Sequence, residues 1–425
     1  MSRDLDSKGR PIVAVTGVGV VSSLGRGVAE NWRKLTAGQS GIHRITRFPT
    51  ENLRTTIAGT VDFMDGDDNS TDRSYAMAEA AGFEAMETAG FGGSFPGPLF
   101  LAAPPIEIEW KHRFRLDRLE GQTARTEAGY DRLIELMREK RDPALYRQTL
   151  FGEISDRLAE RFDTRGLPVT LSTACASGAT AIQLGVEAIR RGETDRALAI
   201  GTDGSVTGES LIRFSLLSAL STANEVPEKA SKPFSKDRDG FVIAEGAGAL
   251  VLESLASARA RGATVLGIVA GVGEKADDFH RTRSKPDGSP IIATIRACLA
   301  DAGMGPEDIG YINAHGTSTP ENDRMEAGGL GAVFGDALTS TPISSNKSMI
   351  GHTLTAAGAI EAVFSILTIR EGLLPPTINY DMPDPAIQLD TVPNEARRAD
   401  VSAVLSNSFG FGGQNVSLVL AREPR

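Results

Sequence analysis

Cysteine is nearly missing from this chain: two residues in 425, Cys175 and Cys298. That is too few for a disulfide framework, so the expectation is a reducing compartment, the cytoplasm. Long apolar runs are missing as well. The most apolar stretch, residues 356–369, is interrupted by Glu361, and nothing approaches the roughly 18 residues that a membrane span needs. The chain opens Met-Ser-Arg-Asp-Leu-Asp-Ser-Lys, with no apolar core of a signal peptide. Basic charge is in deficit, 45 Lys and Arg against 55 Asp and Glu, a net charge of −10. This argues against general nucleic-acid binding and repels acidic partners at long range, so an acidic partner requires a local basic patch. Zinc patterns are absent: there is no His-Glu-x-x-His and no Cys-x-x-Cys. Aromatics make up only 6% of the chain, whereas glycine is abundant at 46 residues. That balance suits tight turns and closely packed small-residue helices, and not a coiled coil or a disordered chain.

Apolar runs and helical periodicities alternate along most of the chain. Strands are expected at residues 12–16, 99–102, 167–173, 197–201, 247–253, 265–272 and 309–314. A closing hairpin pairs residues 401–408 with 416–421. Helices are expected at 28–35, 74–89, 178–191, 256–261, 291–302 and 355–369, the last preceded by a loop. Gly17-Val-Gly19 resembles half of a dinucleotide fingerprint, but position 22 is serine, and a tight turn is the expected use. Strands alternating with helices in two passes predict layered α/β sheets, with a junction near 255–265. Gly178-Ala-Thr-Ala-Ile182 in one half echoes Ala357-Gly-Ala-Ile360 in the other. Residues 107–162 are densely charged with both signs and predict a solvated helical cap.

The chemistry concentrates in four stretches. In Thr173-Ala-Cys175-Ala-Ser-Gly178 an expected buried strand runs into a lone cysteine at the start of a small-residue helix, where the positive helix end favours thiolate. Asn313-Ala-His315-Gly-Thr-Ser-Thr-Pro320 follows a strand, and Asn346-Lys347-Ser-Met-Ile-Gly351-His352 precedes a helix. Each puts a histidine beside glycine at the end of an element, where a side chain can face a cleft. Two such histidines with a candidate nucleophile make a Cys-His-His site. In Asn407-Ser-Phe-Gly-Phe411-Gly-Gly413 a glycine-rich turn can bring backbone N–H groups to a bound carbonyl, a candidate oxyanion hole together with the Cys175 N–H.

Together with Lys236-Asp-Arg-Asp-Gly-Phe241, these motifs resemble those of the β-ketoacyl-acyl-carrier-protein synthases, the type II condensing enzymes, over roughly residues 10–95 and 165–425. The resemblance implies a thiolase-like five-layered αβαβα fold with two duplicated halves, 1–260 carrying the cysteine and 261–425 both histidines, and a homodimer. It implies decarboxylative Claisen condensation of an acyl thioester with malonyl-acyl-carrier protein. Cys175 is the implied nucleophile. His315 and His352 stabilise the enolate, and Lys347, held by Glu326, orients the site. Phe411 supplies an oxyanion N–H and a gate, supported by Phe409, and Thr317 and Thr319 contact the phosphopantetheine arm. No metal and no resident cofactor are implied, since that arm arrives on the acyl carrier protein. The absence of a second cysteine near residues 409–413 disfavours a thiolase. A polyketide-type ketosynthase and a non-catalytic chain-length-factor-like partner are the alternatives, the latter opposed by Cys175 and both histidines. Three departures stand out. Ala102-Ala-Pro-Pro-Ile-Glu-Ile108 replaces a glycine-rich segment that borders the family's acyl pocket. Residues 107–162 are unlike the usual segment. Ser221-Thr-Ala223-Asn224 lacks a carrier-docking arginine. Lys111, Arg113, Arg115 and Arg118 are candidate replacements for that charge, in an enzyme for long or modified acyl chains.

Overall fold

The computed structural model describes residues 4–64, 69–105, 109–112, 134, 138 and 143–424. Ten strands form one hydrogen-bonded path. Five come from the first pass: β1 (Val13–Ser22), β2 (Leu99–Ala102), β3 (Val169–Leu171), β4 (Arg196–Asp203) and β5 (Gly246–Ser254). Five come from the second: β6 (Gly267–Ala276), β7 (Tyr311–Asn313), β8 (Ile343–Ser344), β9 (Ala403–Phe409) and β10 (Gln414–Ala421). The spatial order is β8-β7-β9-β10-β6-β1-β5-β4-β2-β3. Read outward from β1 and from β6, the two sets have the same order: first, fifth, fourth, second, third. In both sets the first three strands are antiparallel neighbours and the last two are added in parallel. The sets join where Val13–Val15 of β1 pairs with Gly267–Val269 of β6.

The strands are nearly continuous apolar runs because both faces are covered. Along β5, Ala247, Ala249 and Val251 pack against α2 (Ser70–Thr88) and α4 (Glu153–Arg161), while Leu250 and Leu252 face the centre. Along β9 and β10, Val404, Leu418 and Leu420 face the centre. Leu405 and Val419 face α8 (Ser289–Ala302) and α9 (Pro320–Phe334). The central layer is α5 (Ser177–Arg190) against α11 (Ala357–Glu371). Side-chain alternation at period two thus generates helix, sheet, helix pair, sheet, helix. The two central helices approach through glycine. A Cβ on Gly178 would lie 2.5 Å from the Ala359 nitrogen, and one on Gly358 would lie 2.6 Å from the Ala179 nitrogen.

Several expectations change. Gly17 and Gly19 lie inside β1 rather than in a turn. Their missing side chains let α2 sit on the strand, since a Cβ on either would be 2.0 Å from the Ala85 or Ala81 carbonyl oxygen. The strand before Cys175 is not buried: β3 ends the sheet path, and Leu167 is 90% exposed. Three described helices were not expected: α6 (Gly208–Leu216), α9 and the four-residue α10 (Lys347–Ile350). In α9, glycines at 328, 329 and 331 blur the apolar period. Gly329 is required where Ile291 presses to 2.8 Å of a Cβ position. Thr319 caps that helix by accepting from the Asn322 N–H. Other helices among the described residues include α1 (Val28–Thr36), α3 (Pro143–Gln148), α7 (Leu255–Ala260) and α10 (Lys347–Ile350). Of the expected charged cap, α3 and α4 are described, and α4 buries Ile154 and Leu158. Arg113, Arg115 and Arg118 lie outside the described residues. So do residues 106–108 of the altered acyl-pocket segment. Among the described residues no helix is long and apolar enough to cross a membrane.

Candidate active site

The turn from β3 to α5 aims Cys175. Ala174 takes φ +49°, a left-handed conformation that costs a non-glycine residue on the order of 1 kcal/mol. Ser177 holds it: its hydroxyl accepts from the Thr173 N–H (2.7 Å) and donates to the Ala174 carbonyl (2.6 Å). The other two site loops carry the same kind of strain, with Ser318 at φ +71° and Leu354 at φ +46°. Cys175 sits just before the first turn of α5, and the Phe411 N–H donates to its sulfur.

His315 follows β7 and His352 follows α10. The equivalent strands therefore deliver all three side chains to one end of the paired sheets, where parallel strands open a crevice. One ligand atom from each of Cys175, His315 and His352 lies within 4.8 Å of the other two. The imidazole rings meet edge to face at 5.2 Å, with Phe241 against His352 (5.3 Å) and Phe409 against His315 (5.8 Å). The His352 backbone is stitched to the first half, its N–H donating to the Val242 carbonyl (2.7 Å).

Hydrogen bonds fix both tautomers. The Leu354 N–H donates to Nδ1 of His352 (3.3 Å), and the Lys347 ammonium, which can only donate, faces Nδ1 of His315 (3.4 Å). Burial, then the Lys347 charge, hold both imidazoles well below their ordinary pKa, so they are neutral. A neutral ring whose Nδ1 accepts carries its proton on Nε2. The site therefore offers two uncharged N–H donors.

Burial pushes the Cys175 thiol up, to about 11, against the pull of the Phe411 N–H and Lys347. The expectation of a resting thiolate is thereby corrected. An apolar surround of Val206, Leu211, Phe241 and Leu354 outweighs the helix end. The nucleophilic fraction should rise tenfold per pH unit until the pH nears 11. Iodoacetamide labelling of Cys175 from pH 7 to 9 should therefore accelerate roughly a hundredfold. A plateau below pH 8 would show that the helix end wins. Cys298 is fully buried against the Gly271 carbonyl and stays unlabelled.

The site opens into a cleft of about 660 Å³ lined by Cys175, His315, His352, Thr317, Thr319 and Phe411, among others. Comparisons with known proteins agree with this geometry. Residues 11–92 and 121–258 match the profile described as Beta-ketoacyl synthase, N-terminal domain, and 266–381 match its C-terminal domain. The chain belongs to the β-ketoacyl synthase family. It is 38% identical to the 3-oxoacyl-[acyl-carrier-protein] synthase 2 of Coxiella burnetii, over 96% of this chain and 98% of that one. To the protein of the same name from Vibrio cholerae it is 37% identical, over 96% and 99%. Among solved structures it resembles the ketosynthase complex AntDE:AntF, described as a type II PKS acyl-carrier protein in complex with its ketosynthase bound to the hexaketide. That match has TM-score 0.86 and 32% identity, over 97% of this chain and 100% of that one. The β-ketoacyl synthase of Burkholderia phymatum gives TM-score 0.82 and 32% identity, over 97% and 99%. The fold is that of the thiolase-like ketosynthases, and the chain is an enzyme of the ketoacyl synthase type.

In this synthase the lysine clamp differs from expectation. Lys347 is held not by Glu326 but by Glu361 of α11, a fully buried ion pair, and by the His315 carbonyl (2.7 Å). Glu326 instead accepts from the His315 N–H (2.9 Å), the Gly316 N–H (2.8 Å) and Asn407 (3.2 Å), fixing the histidine loop. Sequence reasoning missed Glu361, although its signal was present: a lone carboxylate inside the apolar run 356–369. Within the motif Lys236–Phe241, Arg238 is a buried brace. Arg238 donates to Asp384 (2.8 Å) and faces Asp323 (3.5 Å), whose carboxylate also accepts from the Ser318 N–H (3.2 Å). The segment Asp277–Ser284 also lines the cleft and was not anticipated. It is pinned to the glycine turn, the Gly412 N–H donating to the Arg281 carbonyl (2.7 Å).

Cys175, His315 and His352 are also a conceivable metal-ligand set, and the surrounding bonds test it. A metal-bound imidazole donates its far N–H to an acceptor. Here both far nitrogens accept, and an ammonium stands 3.4 Å from one of them. The arrangement suits an oxygen acceptor, and does not fit a cation.

Proposed function

We propose that this synthase condenses an acyl thioester with malonyl-acyl-carrier protein to give a 3-oxoacyl-acyl-carrier protein, carbon dioxide and free carrier thiol. The meeting of one buried thiol with two neutral Nε2–H donors carries the reading. Cys175 attacks the acyl thioester carbonyl, the carbon–sulfur bond to the carrier breaks, and the carrier thiol leaves with the proton that Cys175 gives up. The malonyl thioester then places its carbonyl oxygen between His315 and His352. As the bond to the carboxylate breaks, the electron pair enters an enolate whose oxygen those two donors stabilise, without a strong base. The carbanion attacks the acyl-Cys175 carbonyl. Its oxyanion is received by the N–H groups of Cys175 and Phe411, and collapse returns the thiolate, which takes up a proton. Phe411 gates the cleft, backed by Phe409, and Lys347 with Glu361 sets the His315 tautomer. Thr317 and Thr319, 2.9 Å apart at their hydroxyls, contact the carrier's arm, so no resident cofactor is needed.

Arg281 and Arg283 line the cleft mouth in an acidic protein, a local patch for an acidic carrier. Reversing both charges to glutamate should raise the KM for the carrier about tenfold, leave kcat within about twofold, and flatten the salt dependence. An unchanged KM would remove this patch from carrier recognition. A homodimer with β3 at its interface is proposed as well, because that edge strand exposes Val169 and is preceded by the exposed Leu167. Sedimentation should report twice 45.0 kDa. Two free cysteines fit a reducing cytoplasm. The deciding experiment supplies acyl- and malonyl-carriers and measures 3-oxoacyl product against released carbon dioxide; equimolar yields are expected, and neither product would sink the reading. A polyketide-type ketosynthase is the second reading, favoured by the likeness to the AntDE:AntF ketosynthase and to the ishigamide ketosynthase/chain length factor (TM-score 0.83, 35% identity, over 97% of this chain and 99% of that one). Repeated malonyl additions without reduction would select it.

A further inference from the structure

Three loops of the site hold a residue at positive φ, and a buried side chain clamps each. Ser177 holds the turn at Ala174, and Asp323 accepts from the Ser318 N–H. The third strained residue is Leu354, and its clamp comes from the other half of the chain. Asp203 ends β4 and is buried. Its carboxylate accepts from the Thr355 N–H (3.2 Å) and hydroxyl (2.8 Å) on one side. On the other it accepts from the Ser205 N–H (3.0 Å) and hydroxyl. The Thr355 hydroxyl also reaches the Thr202 carbonyl (2.7 Å).

Residues Leu354–Ala356 form a single 3₁₀ turn leading into α11. The first N–H groups of such a turn have no partner inside it. Here the Leu354 N–H goes to Nδ1 of His352, and the Thr355 N–H goes to Asp203. The two peptide groups flank the Leu354 Cα. Each is planar, so the φ and ψ of Leu354 alone set their relative orientation. At φ +46° a leucine stays only while both flanks are held. Without the Asp203 acceptor one flank is released. The loop then relaxes toward negative φ and takes the Leu354 N–H off Nδ1. Among the described residues, that N–H is the one hydrogen-bond partner of the His352 ring. For packing alone a carboxyl here is costly, since burial pushes it up from its ordinary range.

We propose that Asp203 is a positioning residue for decarboxylation: its hold on Thr355 fixes Leu354 in the strained conformation that keeps the His352 proton on Nε2. The inference deepens the condensation reading above and rests on it.

The test compares the two half-reactions. Asp203→Ala should cut carbon dioxide release from malonyl-carrier roughly ten- to a hundredfold. Acylation of Cys175, followed by intact mass, should stay within about threefold, because that step does not use the His352 ring. NMR of protein carrying isotope-labelled histidine reads five rings, with His352 assigned by His352→Gln. In the Asp203→Ala variant the Nε2–H form of His352 should give way to a mixture with Nδ1–H. His315 should keep its form, since Lys347 sets it. If Asp203→Ala does not fold, Thr355→Val, which removes the hydroxyl and keeps the shape, should move both readouts the same way by a smaller factor. An unchanged carbon dioxide rate, an unchanged His352 tautomer, or a proportional fall in both half-reactions would make Asp203 a structural tie and overturn the proposal. A wild-type protein that releases no carbon dioxide would overturn the condensation reading, and the histidine spectrum would still decide whether Asp203 sets the tautomer.

Discussion

Cys175→Ala should stop carbon–carbon bond formation while malonyl decarboxylation continues. Without the sulfur no acyl-enzyme forms, and condensation should fall by at least about a thousandfold, the usual scale for losing a covalent nucleophile. The decarboxylating half of the site does not use that sulfur. Both Nε2–H donors are set by bonds on the far side of their rings, from Leu354 and Lys347. Alanine changes neither bond. Carbon dioxide release from malonyl-carrier should therefore persist within about tenfold of the wild-type rate, uncoupled from product. The measurement is carbon dioxide against 3-oxoacyl product in the same reaction. If both vanish together, the imidazoles do not act independently of the thiol, and the division of labour drawn here is wrong.

Lys347→Met should damage both stability and tautomer. Lys347 and Glu361 are each about 1% exposed, and breaking such a pair by removing one partner typically costs about 3–5 kcal/mol. For a chain this long that corresponds to a Tm loss of roughly 3–6 °C. The sign of the accompanying pH effect follows from Glu361. Burial pushes its carboxyl up, to about 7, from an ordinary 4.5. A carboxyl raised on folding favours the folded state at low pH, and that contribution is lost as pH rises from 4.5 through 7. Removing the ammonium raises this carboxyl further, so the variant should lose more stability between pH 6 and 8 than the wild type does. Lys347→Met/Glu361→Met should recover much of the Tm. Activity should stay low in both variants, because nothing then holds Nδ1 of His315 as an acceptor. Restored activity in the double variant would make the pair purely structural.

The accuracy of the sequence reading varied with the range of the interaction involved. Local chemistry was legible. The cysteine at a strand-to-helix turn, the two histidines beside glycines and the glycine-rich turn were each visible within about nine residues, and their joint order resembled one family. Helices with a clear apolar period were found within a few residues of their ends. α9 was missed because three glycines, of which only Gly329 is needed for packing, erased its period. Gly17 and Gly19 were assigned to a turn because a sequence does not show which helix will lie against a strand.

By itself, then, the sequence singled out the residues proposed to carry the chemistry and the two α/β passes, since motif content and periodicity are properties of contiguous segments. Only the tertiary structure decided who holds whom. Lys347 meets Glu361 and not Glu326 because α11 crosses the centre of the molecule while Glu326 faces the backbone of the histidine loop. Only the fold decided that Cys175 rests as a thiol, because desolvation depends on neighbours as distant in sequence as Val206, Phe241 and Leu354. Burial and ion pairing are sums over contacts between remote segments, and no local pattern in the chain contains them.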